Sequence, residues 1–180
     1  MLNSFLRIGR AGALPVLATL SLALALPFGC GSGVMKDPVH RMGELTSVGP
    51  IVYNVLETEW RTDLGGSLGQ VTPADRFLLI RLTITNSSNQ EVAIPLLALE
   101  NAAGEVYREL SEVSGVPNWL GLLRIIEPTA SAEGVIVFDV PAGDYRLRVT
   151  DGGDLERERT ALVEIPLRFD PSPAVDVVPQ

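Results

Sequence analysis

The stretch Arg76-Phe-Leu-Leu-Ile-Arg-Leu-Thr-Ile-Thr constrains this chain more than any other part of it. Side chains of a strand point alternately to its two faces, so Leu78, Ile80, Leu82 and Ile84 fall on one side and Arg81, Thr83 and Thr85 on the other. Further runs of strand character are Ile51–Thr58, Val92–Leu99, Val106–Arg108, Gly134–Val140, Asp144–Thr150 and Ala161–Phe169. Turn residues separate them: Asp63, Gly65, Gly66, Gly69 and Pro73, then Asn86–Gln90, Ala102-Ala-Gly-Glu and Asp151-Gly-Gly-Asp. About seven short strands with almost no amphipathic helix predict an all-β, antiparallel sandwich, wet on one side of each sheet. In the Asp144 run, Tyr145, Leu147 and Val149 share one face and Arg146 and Arg148 the other. In the last run, Val163, Ile165, Leu167 and Phe169 are expected to share a face. Pro95 cannot donate to a ladder, so an edge or a bulge is expected there.

The other informative residue is Cys30, the only cysteine. It closes a segment with two arginines, Arg7 and Arg10, then an uncharged stretch from Ala11 to Phe28, then Gly29. A charged start, an apolar stretch and a small residue at the cut read as an export signal. With cysteine at the cut it resembles a bacterial lipoprotein signal, with Pro27 standing where such signals usually carry leucine. The resemblance implies cleavage after Gly29 and lipid on Cys30; a plain secretory signal and an uncleaved anchor are the alternatives. More than one acyl chain gives firm anchoring, since each buried methylene contributes roughly 0.8 kcal/mol. Gly31, in place of an aspartate after the cysteine, points to the outer membrane where the organism has one.

The organisation expected is a signal peptide at 1–29, a flexible tether at 30–46, a sandwich at 47–169 and a proline-rich tail at 170–180. Removing the signal leaves a chain with 12 basic and 22 acidic residues. That surface repels phosphate backbones and anionic head groups, so nucleic acid is not an expected partner. With Cys30 carrying lipid, no disulfide is available, and the fold rests on its apolar core.

Chemistry is sparse. His40 is the only histidine and lies in the expected tether, so a nucleophile-and-base pair has no evident source. Without further Cys or His, zinc-type ligation is not expected. Asp151, Asp154, Glu156 and Glu158 could offer oxygens to calcium, but Arg157 and Arg159 interleave with them, and a salt-bridged turn is the simpler expectation. Asp139 and Glu164 sit on strands and are expected to face solvent. We expect no catalytic residues, no metal and no cofactor. The segment Val116-Pro-Asn-Trp-Leu-Gly-Leu-Leu-Arg-Ile-Ile is different. It carries Trp119, Leu120 and Leu122 in an irregular connection, and an exposed apolar patch with an aromatic anchor can mark a partner site. Alternatively Trp119, Leu122 and Leu123 cap the open end of the sandwich, or part of the run is one more strand. Trp60 has the same ambiguity. Tyr145 sits where a corner tyrosine would tie down the start of a strand.

Three stretches together resemble one family: Arg76–Asn86 followed by Val92-Ala-Ile-Pro, Ile126-Glu-Pro-Thr-Ala-Ser-Ala-Glu-Gly-Val-Ile-Val-Phe-Asp-Val-Pro, and Asp144-Tyr-Arg-Leu-Arg-Val. They are similar to the domain of unknown function 4352 family, over about Gly49 to Phe169. The resemblance implies an immunoglobulin-like sandwich outside the cytoplasm, often behind a lipoprotein signal, and brings no catalytic residues with it. The function expected is a non-enzymatic, lipid-anchored module in the cell membrane or outer membrane that binds an envelope protein. A structural spacer or self-assembling subunit is the alternative, and a small-ligand or sugar binder a third.

Overall fold

The structure, a computed structural model, describes residues 37–65, 72–153 and 158–168. Gly29, Cys30 and the tail from Phe169 onward lie outside the described residues. Eleven strands follow in chain order: β1 Val39–Arg41, β2 Leu45–Val48, β3 Ile51–Arg61, β4 Arg76–Asn86, β5 Val92–Ile94, β6 Ala98–Asn101, β7 Val106–Arg108, β8 Arg124–Ile126, β9 Ser131–Val140, β10 Tyr145–Thr150 and β11 Thr160–Ile165. They form a five-stranded sheet, β1-β11-β10-β6-β7, a four-stranded sheet, β2-β3-β4-β9, and a small β5-β8 pair. Every pairing is antiparallel except β1 with β11.

The two larger sheets share one apolar core, so the chain is the expected β-sandwich. β4 supplies Leu78, Ile80, Leu82 and Ile84 to it, all buried, while Arg81, Thr83 and Thr85 remain on the wet face. Beside it in the same sheet β9 adds Ile136, Phe138 and Val140, and the five-stranded sheet supplies Leu99, Leu147, Val149, Val163 and Ile165 from the other side. Tyr53 is fully buried among them and donates its hydroxyl to the Thr150 carbonyl at 2.5 Å, a bond from one sheet to the other. Burial holds its phenol protonated far above the ordinary range.

The loose alternation of β3 has a cause. A bulge between Val55 and Glu57 inserts Leu56 and switches which side chains point inward. Ile51, Tyr53 and Val55 face the core before it; afterwards Thr58 and Trp60 lie opposite the core residues Ile80 and Leu78. Trp60 is therefore partly buried against the core, with its ring centroid 6.4 Å from that of Tyr145.

Three boundaries differ from expectation. The segment assigned to a tether, 30–46, carries β1 and the start of β2 from Val39 onward. The parallel β1–β11 pair needs only main-chain partners, so three residues without periodicity can form it, and Leu162 donates to the Pro38 carbonyl at 2.9 Å beside it. The 92–99 run breaks at Pro95, where the chain leaves the β5–β8 pair and enters the five-stranded sheet as β6. β11 stops at Ile165 because Pro166 has no donor, leaving Leu167 exposed rather than in the core. β8, Arg124–Ile126, makes part of the 116–126 run a strand, which was one of the alternatives for it.

Tyr145, first residue of β10, donates its hydroxyl to the Pro141 carbonyl at 2.6 Å. Desolvation pushes its phenol up to about 12. This is the corner arrangement expected. Tyr145→Phe is expected to lower stability by about 1 kcal/mol, read as a lower urea midpoint with an unchanged slope. An unchanged midpoint would show that the bond contributes nothing.

The acidic turn after β10 is, in its described part, a salt-bridged turn. Asp151 accepts from the Gly153 and Arg159 main-chain N–H groups and from Arg159 Nε at 2.9 Å. Burial alone would raise the Asp151 carboxyl, but the Arg159 and Gly153 donors outweigh it and hold the carboxyl below its ordinary value. A depressed folded pKa contributes stability that is complete above the unfolded value and lost as pH falls through the folded one. The stability gap between the native chain and Asp151→Asn is therefore expected to close below about pH 4. A gap that is constant from pH 7 to 2.5 would refute this.

Candidate functional site

Between β7 and β8 the chain makes one long connection, Glu109 to Leu123, held at three places. At its base Glu109 and Arg124 form an ion pair with side chains 0% and 1% exposed. Glu109 also accepts from the Leu97 N–H at 3.1 Å, and its own N–H donates to the Leu97 carbonyl. Burial raises the Glu109 carboxyl above its ordinary value, and Arg124 and the Leu97 N–H pull it part of the way back. Such a pair is held by geometry, because desolving both charges offsets most of their attraction.

The second hold is main-chain bonding to β9. Leu110 donates to the Val137 carbonyl at 2.8 Å, Leu120 to the Val135 carbonyl at 3.0 Å, and Val135 to the Asn118 carbonyl at 2.8 Å. Trp119 bridges Val135 in parallel, so the segment adds a stub of strand there. Gly134 permits this approach: a Cβ on it would lie 2.5 Å from the Asn118 oxygen. The third hold is apolar. Phe77, Leu79, Val137 and Leu64 are buried on the far side of the four-stranded sheet, and Leu110, Val113, Val116 and Trp119 pack over them.

Trp119 thus covers the outer face of β4 and β9 and does not cap the end of the sandwich. Leu120 is partly buried against the main core. The chain then turns at Gly121, whose φ of 76° suits glycine and whose carbonyl accepts from Arg124 Nε at 2.9 Å. Beyond that turn Leu122 is 51% exposed, Leu123 87% and Ile125 59%. Of the three residues singled out in sequence, Trp119 and Leu120 are anchors and Leu122 stands on the surface; Leu123 caps nothing. Ile125, part of the same apolar run, was not singled out; its place between buried Arg124 and Ile126 in β8 fixes it outward.

On its other flank the segment borders a shallow groove of about 210 Å³ lined by Leu79, Val116, Pro117 and Val135. Paired charges rim it: Arg61 with Glu59 at 2.7 Å, and Arg81 with Glu57 at 2.6 Å. Elsewhere, His40 lies in β1 with Nδ1 3.9 Å from Glu44, and the Asp139 carboxylate accepts from the Ala74 and Asp75 N–H groups. Glu164 is exposed on β11. The segment thus combines a buried ion pair at its base, an aromatic anchor and exposed leucine side chains.

Residues 40–156 match the family described as "Domain of unknown function (DUF4352)". Among solved structures, the yjhA protein of Bacillus subtilis superposes with a TM-score of 0.55 at 15% identity, covering 70% of this chain and 98% of that one. The secreted protein MPT63 of Mycobacterium tuberculosis gives 0.52 at 17% identity, covering 73% and 99%. ycdA of Bacillus subtilis, provisionally described as a lipoprotein, gives 0.54 at 14% identity, covering 69% of this chain and 39% of that one. These likenesses are of fold. No curated protein sequence matches the chain.

Proposed function

We propose, from the premise that this chain belongs to the DUF4352 family, that it is an extracytoplasmic module anchored by lipid on Cys30 which binds an envelope protein through Leu122, Leu123 and Ile125. The observation that carries the binding surface is the pairing of exposure with rigidity. Three large apolar side chains stand exposed, Leu122 and Leu123 at the end of the connection and Ile125 on β8, on either side of Arg124 of the fully buried ion pair. Apolar side chains on a held surface lose little ordering entropy on docking, and burying one leucine contributes about 1.5–3 kcal/mol. The signal-like segment at 1–29 supports the location, as do the fold likenesses to MPT63, a secreted protein, and to ycdA, provisionally described as a lipoprotein.

Two measurements test the two halves. Cys30→Ser is expected to abolish radiolabelled palmitate incorporation and to move the protein out of the membrane fraction; retention of label would refute the anchor. In a crosslinked pull-down from its own membranes, the full-length chain is expected to recover a protein that Leu123→Asp recovers at least tenfold less. Equal recovery by both would remove the Leu122–Ile125 surface from the reading. Recovery of this chain alone would favour a self-assembling subunit.

A further inference from the structure

The outer face of the five-stranded sheet carries charges that the partner-binding reading does not use. Register places Arg41 of β1 beside Glu164 of β11, Glu164 beside Arg146 of β10, and Arg146 beside Glu100 of β6. The four side chains point outward and form one row across four strands, alternating in sign. Opposite charges on neighbouring strands normally close into ion pairs. This sheet does so nearby, where Arg148 reaches Glu100 at 2.8 Å. Yet Arg41, Arg146 and Glu164 enter no ion pair among the described residues, and neither does Arg168 just past β11.

These four side chains instead line a groove of about 450 Å³, within the range of small-molecule sites. Met42, Ala102 and Pro166 add apolar wall, and Tyr145 closes one side. Glu100 is engaged by Arg148, and one Asp144 oxygen accepts from the Leu167 N–H at 2.7 Å. Glu164, between two unpaired guanidinium groups, is therefore the carboxylate of the row left to meet a ligand, with the second Asp144 oxygen also on the groove lining. A purely anionic ligand would be opposed by Glu164, and a cationic one by Arg41, Arg146 and Arg168. A molecule bearing both signs satisfies all of them. Guanidinium groups bind carboxylates in paired, planar fashion, and a carboxylate takes an ammonium as a point charge.

We propose that this groove binds a zwitterion of the amino-acid or short-peptide class, with its carboxylate on Arg146 and Arg41 or Arg168, its ammonium on Glu164, and its apolar side chain against Met42 and Pro166. The site shares no residue with the Leu122–Ile125 surface, so either can fail without the other.

The test is calorimetric titration of the full-length chain in detergent with leucyl-leucine. N-acetyl-leucyl-leucine, leucyl-leucinamide and inorganic phosphate serve as the comparison ligands. Saturable binding of the dipeptide is expected, with each blocked form at least tenfold weaker and phosphate not binding. Arg146→Ala and Glu164→Gln are each expected to weaken the dipeptide at least tenfold while the unliganded melting temperature stays within error for Glu164→Gln. If Arg146→Ala does not fold, the double variant Arg41→Ala with Arg168→Ala takes its place with the same expectation. The proposal is overturned if the dipeptide shows no saturation to a Kd of about 1 mM. It is overturned equally if the acetylated or amidated form binds as well as the dipeptide, if phosphate competes fully, or if Glu164→Gln leaves the affinity unchanged.

Discussion

Glu109→Ala is expected to lower the unfolding free energy by about 3–5 kcal/mol, enough to unfold a marginal domain. The substitution strands the Arg124 guanidinium at a site where its side chain is 1% exposed, and a buried unpaired charge costs far more than a lost contact. It also orphans the Leu97 N–H, which Glu109 accepts at 3.1 Å. Urea denaturation reads the loss directly. The double replacement Glu109→Leu with Arg124→Leu separates the two costs. It removes both charges, so it is expected to recover most of the loss and to leave the deficits at the Leu97 N–H and the Gly121 carbonyl, about 1–3 kcal/mol together. If the double variant were as unstable as Glu109→Ala, the charge argument would be wrong and the shape of the pair would be what matters.

Gly134→Ala is the second large effect, and a more local one. Its Cβ would lie 2.5 Å from the Asn118 carbonyl oxygen and 2.7 Å from the Leu120 side chain. The leucine can rotate away. The carbonyl cannot retreat without lengthening the 2.8 Å bond it accepts from the Val135 N–H. The expected cost is about 1–3 kcal/mol, with the Asn118–Leu120 stub lifted from β9 and the Phe77–Leu79–Val137 cluster opened to water. Hydrogen exchange at Leu120 and Val135 is expected to speed up much more than at Leu82 or Phe138. Uniform acceleration across the sandwich would show that the segment and the core open as one unit.

The inner face of β4 was readable in full, because period-two alternation over eleven residues leaves no other assignment. Its outer face was expected to be wet, and the four consecutive apolar residues Phe77-Leu78-Leu79-Ile80 were the unread sign that Phe77 and Leu79 are buried on that side as well. What covers that second side was not readable, since Trp119 reaches it across a connection with no period. The β3 bulge was hidden because Leu56 is itself apolar, so the change of parity left only a blurred alternation. The Glu109–Arg124 pair left no trace in sequence, because two charges fifteen positions apart announce nothing until the fold brings them together. For the candidate surface, Trp119, Leu120 and Leu122 were found from composition, but only burial divides anchors from exposed side chains. The groove on the five-stranded sheet was half visible in the outward pairing of Arg146 and Arg148; Arg41 was hidden in what read as a tether.

The parallel strand β1 also has a mechanical meaning. A chain held at a surface by its N-terminal end transmits every pull on the sandwich through Pro38 into β1 before any other strand. β1 has three residues and a single neighbour, β11, so it is the first clasp to slip under load. Its release would draw Arg41 and Met42 out of the groove wall and leave the edge of β11 bare. Coupling between two such events is reciprocal, so a molecule seated in the groove would stiffen the clasp against tension.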